Sequence, residues 1–559
     1  MYKIGYAPGR DIRNNVTEFL RELVNQDPRR ILLSWMNSET KQHDHMDAAT
    51  LWTLIRKTAK GFEDLGIRKG DRLIVFLPMA PPLYIAMFAL EHLGAVPVFL
   101  DGWARRGELG VSAEIALPKG VISFPQAFSL MEQTEILKRL PVRVSYGADV
   151  AGATRLEALT RTLEERETEP VAQEDSALIT FTTGSSGRPK GADRTHRFLA
   201  AQHYALSRHL SYTTNDVDLP VFPIFSLNNI ASGARTVLPA INLAQPAESD
   251  AATLLEQFQT ESVTCATLSP WLFREVGNFC KQNGIILKRA RRLVTGGAPV
   301  SRDELRVTQS VAPDAEILVL YGSTEVEPIA HISARELLAR PTRSENDPEW
   351  VDSGVNVGRV DSGLQAKFLK IGEIPSSLSS DDEWKSLEAR NGEVGELVVC
   401  GEHVCRGYFQ DEEATRRAKI KDAHGNVWHR TGDLGYLDAD CNLWLVGRVH
   451  NVISHVSGYQ YPVRAEMALR KLPFVEKAAF LGMPLKGEHE ACWCVLQLKP
   501  GAPEEQICEN EVRRILTKNE LIYDRVVFVK EIPMDARHHS KVQYHELRET
   551  LLKGKDYVE

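Results

Sequence analysis

The sequence predicts an α/β protein: a large N-terminal domain of layered, largely parallel sheets, then a smaller C-terminal α+β domain. Three observations carry this. Helical apolar spacing alternates with short apolar runs along most of the chain, the pattern of strands joined by helices. At 559 residues the chain exceeds what one hydrophobic core serves. After Leu445 the pattern changes character.

Leu51 to Leu65 has helical spacing and stops at Gly66. The turn Lys69-Gly70-Asp71-Arg72 leads into the strand Leu73-Ile74-Val75-Phe76-Leu77. A helix from Pro82 to Leu93 ends at Gly94, and Ala95 to Leu100 reads as the next strand. The run Ala177-Leu178-Ile179-Thr180-Phe181 is another strand, and the alternation returns at Leu254 to Leu268 and at Ala290 to Leu320. Arg340 to Trp350, charged and proline-bearing, and Pro375 to Glu388, rich in Ser, Asp and Glu, read as surface excursions. Gly447-Arg448-Val449-His450 then opens about a hundred residues with their own helix and strand signals, the size of a small lid domain. The expected domains are 1–447 and 448–559.

Composition is that of a soluble globular enzyme, 43% hydrophobic and 25% charged. The net charge of −8 argues against a general nucleic-acid or membrane-surface binder. Met1-Tyr2-Lys3-Ile4-Gly5 lacks the apolar stretch of a secretory signal. Leu77 to Leu100 is interrupted by Pro78, Pro81, Pro82, Glu91 and His92, so it reads as a helix and a buried strand, not a membrane span. The eight cysteines show no second ligand pair at zinc spacing, and reduced thiols in a cytoplasmic protein are expected.

The most informative segment is Thr182-Thr183-Gly184-Ser185-Ser186-Gly187-Arg188-Pro189-Lys190-Gly191, a donor-rich loop delivered by a strand. Gly184 and Gly187 let backbone N–H groups approach an anion, and Thr182, Thr183, Ser185 and Ser186 add hydroxyls. Lys190 adds a mobile positive charge. This chemistry suits a polyphosphate, although no Gly-Lys-Ser/Thr closes the loop as in a Walker A motif.

The segment resembles the phosphate-binding signature of the acyl-adenylate-forming (AMP-dependent synthetase/ligase) superfamily: acyl-CoA synthetases, peptide-synthetase adenylation domains and luciferases. The resemblance spans Gly70 to Leu547 and implies that superfamily's fold, with ATP and Mg²⁺ as cofactors. Gly296-Gly297-Ala298-Pro299 follows the strand Arg292-Leu293-Val294 and lets a flat adenine lie against the backbone. Tyr321-Gly322-Ser323-Thr324-Glu325 follows Ile317 to Leu320. The match implies that Tyr321 stacks on adenine, that Thr324 bonds the α-phosphate and that Glu325 holds Mg²⁺. Gly395 to Val399 with Arg406-Gly407-Tyr408-Phe409 matches a strand and turn of mainly structural role. In Trp428-His429-Arg430-Thr431-Gly432-Asp433-Leu434-Gly435, Asp433 matches the ribose ligand and can accept from both hydroxyls. Arg448 would meet ribose or phosphate, and His450 occupies the hinge position, usually Asp or Lys. Lys541, within Pro533 to Val542, matches the lid lysine that reaches the α-phosphate and carboxylate, which makes Lys541, Thr324 and Glu325 the expected catalytic residues.

Three departures bear on the second half-reaction. Pro223-Ile224-Phe225 is followed by Ser226, where acyl-CoA synthetases carry His. The spacing from Arg448 to Gly458 is one residue longer than the usual lid motif, and Lys541 follows Arg-His-His-Ser in place of Ser-Gly. With Val217 to Pro223 and Thr295 to Val300, these resemble the β-lactone synthetases of bacterial olefin biosynthesis, in which the substrate's own β-hydroxyl closes the ring and expels AMP. The implied substrate is a fatty or β-hydroxy fatty acid, with pathway enzymes as further partners. The alternatives are a thioester-forming ligase, which would need CoA or a carrier protein, and a nucleotide-binding homologue without ligase activity. Phe222, Phe225, Leu227 and Trp271 are candidate linings of an acyl pocket.

Overall fold

The computed structural model describes residues 14–100, 109–183, 188–243, 250–340, 347, 349–485, 487–534 and 542–554. A 7-stranded sheet is built from Thr154–Arg155, Val142–Ser145, Gly120–Ser123, Arg72–Phe76, Val96–Phe99, Ser176–Thr183 and Pro189–Thr195, in that order across the sheet. It is parallel except for the last pair, Ser176–Thr183 with Pro189–Thr195. The expected helix near residues 51–65 is Ala48–Asp64, started by the Asp47 carboxylate accepting from the Thr50 N–H at 2.7 Å. The helix Pro81–His92, with proline at its first turn, is buried on every side, so its apolar residues run all the way round.

The second sheet is 15-stranded. Its parallel half runs through Ile31–Met36, Arg235–Val237, Val217–Pro220, Cys265–Leu268, Arg292–Gly296 and Glu316–Ser323. From Val326–Ser333 onward, through Val355–Val360, Leu443–Arg448, Val427–Leu437, Gly395–Gly401 and Leu364–Leu369, every pairing is antiparallel. The expectation of largely parallel sheets therefore fails for this half. The physical reason lies in the connections: Thr324 and Glu325 form a two-residue turn, which can only reverse a strand, whereas a parallel neighbour needs a long crossover.

One further expectation is corrected. Pro375 to Glu388 is not a plain surface excursion: Ser377–Leu378 pairs with Lys419–Asp422, and Trp384 of the helix Asp381–Leu387 is buried against Trp428, ring centroids 5.0 Å apart. Of the Arg340 to Trp350 segment, 341–346 and 348 lie outside the described residues, and Glu349 reaches the C-terminal helix Glu505–Lys518. Arg514 donates to both Glu349 oxygens at 2.6 and 2.8 Å, and Lys518 lies 2.6 Å from one of them.

Beyond Arg448 the hairpin Ile453–His455/Gly458–Gln460 and the 3-stranded sheet Val475–Pro484, Glu490–Leu498, Arg525–Val529 share an apolar core with Leu469, Phe480, Cys494 and Leu516. All eight cysteines are free. No helix among the described residues is long and apolar enough to cross a membrane.

Buried histidines make the fold acid-labile. His92 (0% exposed) and His196 (1%) are pushed down to about 4, chiefly by burial. His196 Nδ1 also accepts from the Val16 N–H. Both titrate near 6.5 when unfolded, so between pH ~6.5 and about 4 the unfolded chain binds more protons. Stability should therefore fall on acidification through that window, by about 3 kcal/mol per histidine. Thermal midpoints from pH 7 to 4.5 check this. A pH slope unchanged in His92→Asn/His196→Asn would show that these rings do not set it.

Candidate active site

The ends of the Glu316–Ser323 and Leu443–Arg448 strands and the middle of Val427–Leu437 meet in one cluster. Asp433 and Arg448 stand opposite each other in register, Arg448 Nε 3.0 Å from Asp433 Oδ1. The Tyr321 hydroxyl donates to Asp433 Oδ2 at 2.7 Å. Four inter-strand steps separate the strands of Tyr321 and Asp433, about 19 Å in a flat sheet at ~4.8 Å per step, well beyond a tyrosine's reach. The antiparallel half must therefore curl back on itself, around a core that includes Val326, Ile329, Leu397 and Leu443. Burial, and then the Asp433 charge, hold the Tyr321 hydroxyl well above its usual range, so it remains a donor.

The neighbouring strand ends at Gly296 and Gly297. A Cβ at Gly296 would sit 2.1 Å from the Leu320 carbonyl oxygen, and Gly297 has φ +85°, so both positions require glycine. Gly297 and Pro299 are exposed and Ala298 is half-buried, leaving a flat backbone ledge beside Tyr321.

Thr324 and Glu325 occupy the hairpin turn. Glu325 Oε1 accepts from the Tyr408 hydroxyl at 2.7 Å. Burial opposes ionisation of Glu325, yet His429, Lys419 and the Tyr408 hydroxyl outweigh it and hold the carboxyl below its usual range. Lys419 is itself buried, donates to the Cys405 carbonyl, and is pushed down by burial. The Tyr408 ring lies between two ammonium groups, Lys190 Nζ at 5.6 Å and Lys419 Nζ at 5.7 Å from its centroid. Arg194 Nη2 donates to the Thr324 carbonyl at 2.9 Å. Ser323 Oγ is buried without a hydrogen-bond partner, a polar atom of the kind a ligand satisfies.

The Thr182 to Gly191 segment is shorter as a loop than the sequence suggests. Thr182 and Thr183 end one strand, and Pro189, Lys190 and Gly191 begin the antiparallel return strand, with Thr182 opposite Lys190. Gly184, Ser185, Ser186 and Gly187 lie outside the described residues, as does Lys541. The segment Arg406 to Phe409, expected to be mainly structural, also enters the site through Tyr408. It stitches the two sheets together: Phe409 N–H donates to Gly191 and Cys405 N–H to Glu325. Tyr408 and His429 stand inside motifs that could be read, whereas Lys419 and Arg194 carry no local signal.

An ionised carboxylate with one oxygen held by a tyrosine suits Mg²⁺, which is usually bound through one or two carboxylates plus phosphate. The donor set at Glu325 therefore fits that ion.

Comparison with known proteins agrees with this geometry. The profile of the family described as "AMP-binding enzyme" matches residues 20–409. An olefin beta-lactone synthetase of Xanthomonas campestris pv. campestris is 30% identical over 501 residues, covering 87% of each chain. A 4-coumarate–CoA ligase of Solanum tuberosum is 26% identical over 510 residues, covering 89% of this chain and 88% of its own. The solved structure of an anthranilate CoA ligase in complex with anthranoyl-AMP superposes with a TM-score of 0.79 at 18% identity, over 99% of this chain and 100% of that one. These are adenylate-forming ligases and synthetases built on an α/β fold with a smaller C-terminal domain. The chain belongs to this AMP-binding enzyme family.

Proposed function

We propose that this enzyme activates a fatty or β-hydroxy fatty acid with ATP as an acyl-AMP, and that the acid's own β-hydroxyl then closes a β-lactone. The observation that carries the first half is the convergence of Tyr321, Asp433 and Arg448 beside the Glu325–Tyr408–Lys190 cluster. In this reading Asp433 holds the ribose hydroxyls, and the Tyr321 ring, tethered by its hydroxyl, offers its face to adenine over Gly296 to Pro299. Arg448 meets ribose or phosphate. Lys190 and the loop Thr182 to Gly187 hold the pyrophosphate, with Gly322 and Ser323 flanking the nucleotide.

The carboxylate oxygen attacks the α-phosphorus, and the bond to the bridging oxygen breaks with its electron pair leaving on pyrophosphate. The protein's task is to hold two anions together and stabilise spreading charge. Thr324 bonds the α-phosphate, and Lys541 from the C-terminal domain, 448–559, neutralises the oxygens. Glu325 would hold Mg²⁺, which supplies charge neutralisation on the phosphates.

The second half rests on two supports. Ser226, where acyl-CoA synthetases carry His, is wholly buried and faces Tyr84. The olefin beta-lactone synthetases are relatives at 30% identity. The β-hydroxyl oxygen attacks the acyl carbon, the acyl–phosphate bond breaks toward AMP, and the hydroxyl proton is released. Incubation with ATP and 3-hydroxyoctadecanoic acid, with and without CoA, tests this. Lactone and AMP without CoA are expected, whereas AMP released only with CoA would establish the thioester-forming reading in its place.

A further inference from the structure

Three separate segments beyond Arg448 bring metal-ligating side chains to one point. His455 ends the Ile453–His455 strand, Cys492 lies in Glu490–Leu498, and Asp524 immediately precedes Arg525–Val529. One ligand atom from each lies within 4.8 Å of the other two. Among the described residues no other three His, Cys, Asp or Glu side chains meet so closely. Sequence spacing hides the group, because the fold, and not a cysteine pair, supplies the partners of Cys492.

His455 Nε2 stands 3.6 Å from Asp524 Oδ2. Its Nδ1 lies 2.6 Å from the Ser457 hydroxyl and 3.2 Å from the Ser457 N–H. The N–H contact favours the Nε2–H tautomer. With the proton moved to Nδ1 and donated to the hydroxyl, Nε2 presents a lone pair toward Asp524, as in a metal-bound imidazole steadied by an outer partner. Asp524 Oδ2 also accepts from the Cys492 N–H at 2.6 Å, which ties the carboxylate to the residue bearing the thiol. A second carboxylate lies close by. Gly482 stands opposite Cys492 in register, and a Cβ there would be 2.6 Å from the Glu490 carboxyl carbon. Glu490 accepts from the Ser454 N–H at 3.0 Å, with Arg548 Nη2 3.9 Å away. Burial, then the Asp524 and Glu490 charges, hold the Cys492 thiol above its ordinary range. A divalent cation reverses that balance, because it favours the thiolate and is itself favoured by the carboxylates. Cys492 is wholly buried and the Asp524 side chain is 43% exposed, so the cluster has a closed floor and an entry path.

We propose that His455, Cys492 and Asp524 bind a borderline-soft divalent cation of the zinc class, with solvent completing the coordination. Imidazole, thiolate and carboxylate together select Zn²⁺ over Mg²⁺, so this site is separate from the one assigned to Glu325 and independent of the acid-activating reading. As the metal–sulfur bond forms, the Cys492 S–H bond breaks and its proton passes to solvent. The cation cross-links the hairpin Ile453–His455/Gly458–Gln460 to the 3-stranded sheet, and its binding free energy stabilises the folded C-terminal residues.

Full-length protein, stripped of metal with a chelator that is then removed, is titrated with Co²⁺ as a spectroscopic stand-in for Zn²⁺. One equivalent should bind with a thiolate-to-cobalt charge-transfer band in the near ultraviolet. Zn²⁺ should abolish that band, and excess Mg²⁺ should leave it unchanged. Cys492→Ser should lose it. His455→Asn and Asp524→Asn alter side chains outside the apolar core, so they keep the test open if Cys492→Ser fails to fold. Each should weaken Co²⁺ binding by at least about 10–100-fold, the cost of losing even an outer-shell partner. Zn²⁺ should also raise the thermal midpoint of wild type but not of His455→Asn. No thiolate band in wild type, a band that persists in Cys492→Ser, or wild-type affinity in His455→Asn or Asp524→Asn would overturn the proposal.

Discussion

Asp433→Ala is expected to weaken binding of a non-hydrolysable ATP analogue by about two orders of magnitude, measured by calorimetry. The side chain holds two partners at once, the Tyr321 hydroxyl and Arg448. A hydrogen bond to a charged group contributes about 1.5–3 kcal/mol, so losing both ribose contacts costs about 10²-fold or more. Releasing Tyr321 also frees the ring that adenine is to rest on. The fold should survive with a small loss, because the Arg448 side chain is 46% exposed and can turn to water. Asp433→Asn is the sharper comparison: it keeps the volume but removes the charge that Arg448 neutralises. Affinity unchanged in both variants would remove Asp433 from the ribose site.

Glu325→Gln should lower ATP–pyrophosphate exchange by about 10²–10³-fold, the scale seen when one preorganised electrostatic group is lost at a phosphoryl or acyl transfer site. Nucleotide binding in the absence of Mg²⁺ should change little, since glutamine still accepts from Tyr408 in the same place. The defect should appear as a raised Mg²⁺ requirement, which distinguishes loss of a cation ligand from misfolding. Because its neighbours hold the carboxyl below its usual range, the exchange profile should show no acid limb from this group at ordinary carboxylate pH. An exchange rate within a few-fold of wild type would sink the assignment.

The parallel strands and their helices are legible because a strand such as Arg72–Phe76 is a continuous apolar run between turn signals, so its nature is local. The antiparallel half is only partly legible, since besides the hairpin of Glu316–Ser323 with Val326–Ser333 several of its pairings join strands separated by other elements. Gly395–Gly401, for example, lies between Leu364–Leu369 and Val427–Leu437. The same limit governs the site. Tyr321 and Asp433 sit in short contiguous motifs, but their hydrogen bond depends on a sheet curling back, which no local pattern records. Lys419 opens a short strand that also carries Lys421, and only the fold brings it against Tyr408 and the charge of Glu325. Trp384 lies in an acidic stretch that reads as solvent-facing, yet one apolar ring suffices to pin the helix to Trp428.

Arg448 is the last residue of its strand, and the chain leaves the large sheet at the next step, through the short helical turn Val449–Asn451. Its backbone therefore belongs to the sheet, while its side chain lies beside the exit to the last hundred or so residues, a domain-sized unit. On the proposed reading a nucleotide engages the Asp433–Arg448 pair, so any reorientation of residues 448–559 that shifted Arg448 would be linked to nucleotide binding. By thermodynamic reciprocity, the free energy by which orientation changes nucleotide affinity equals that by which the nucleotide biases orientation. Occupancy of the proposed ribose site and the setting of residues 448–559 would then be coupled through a single ion pair.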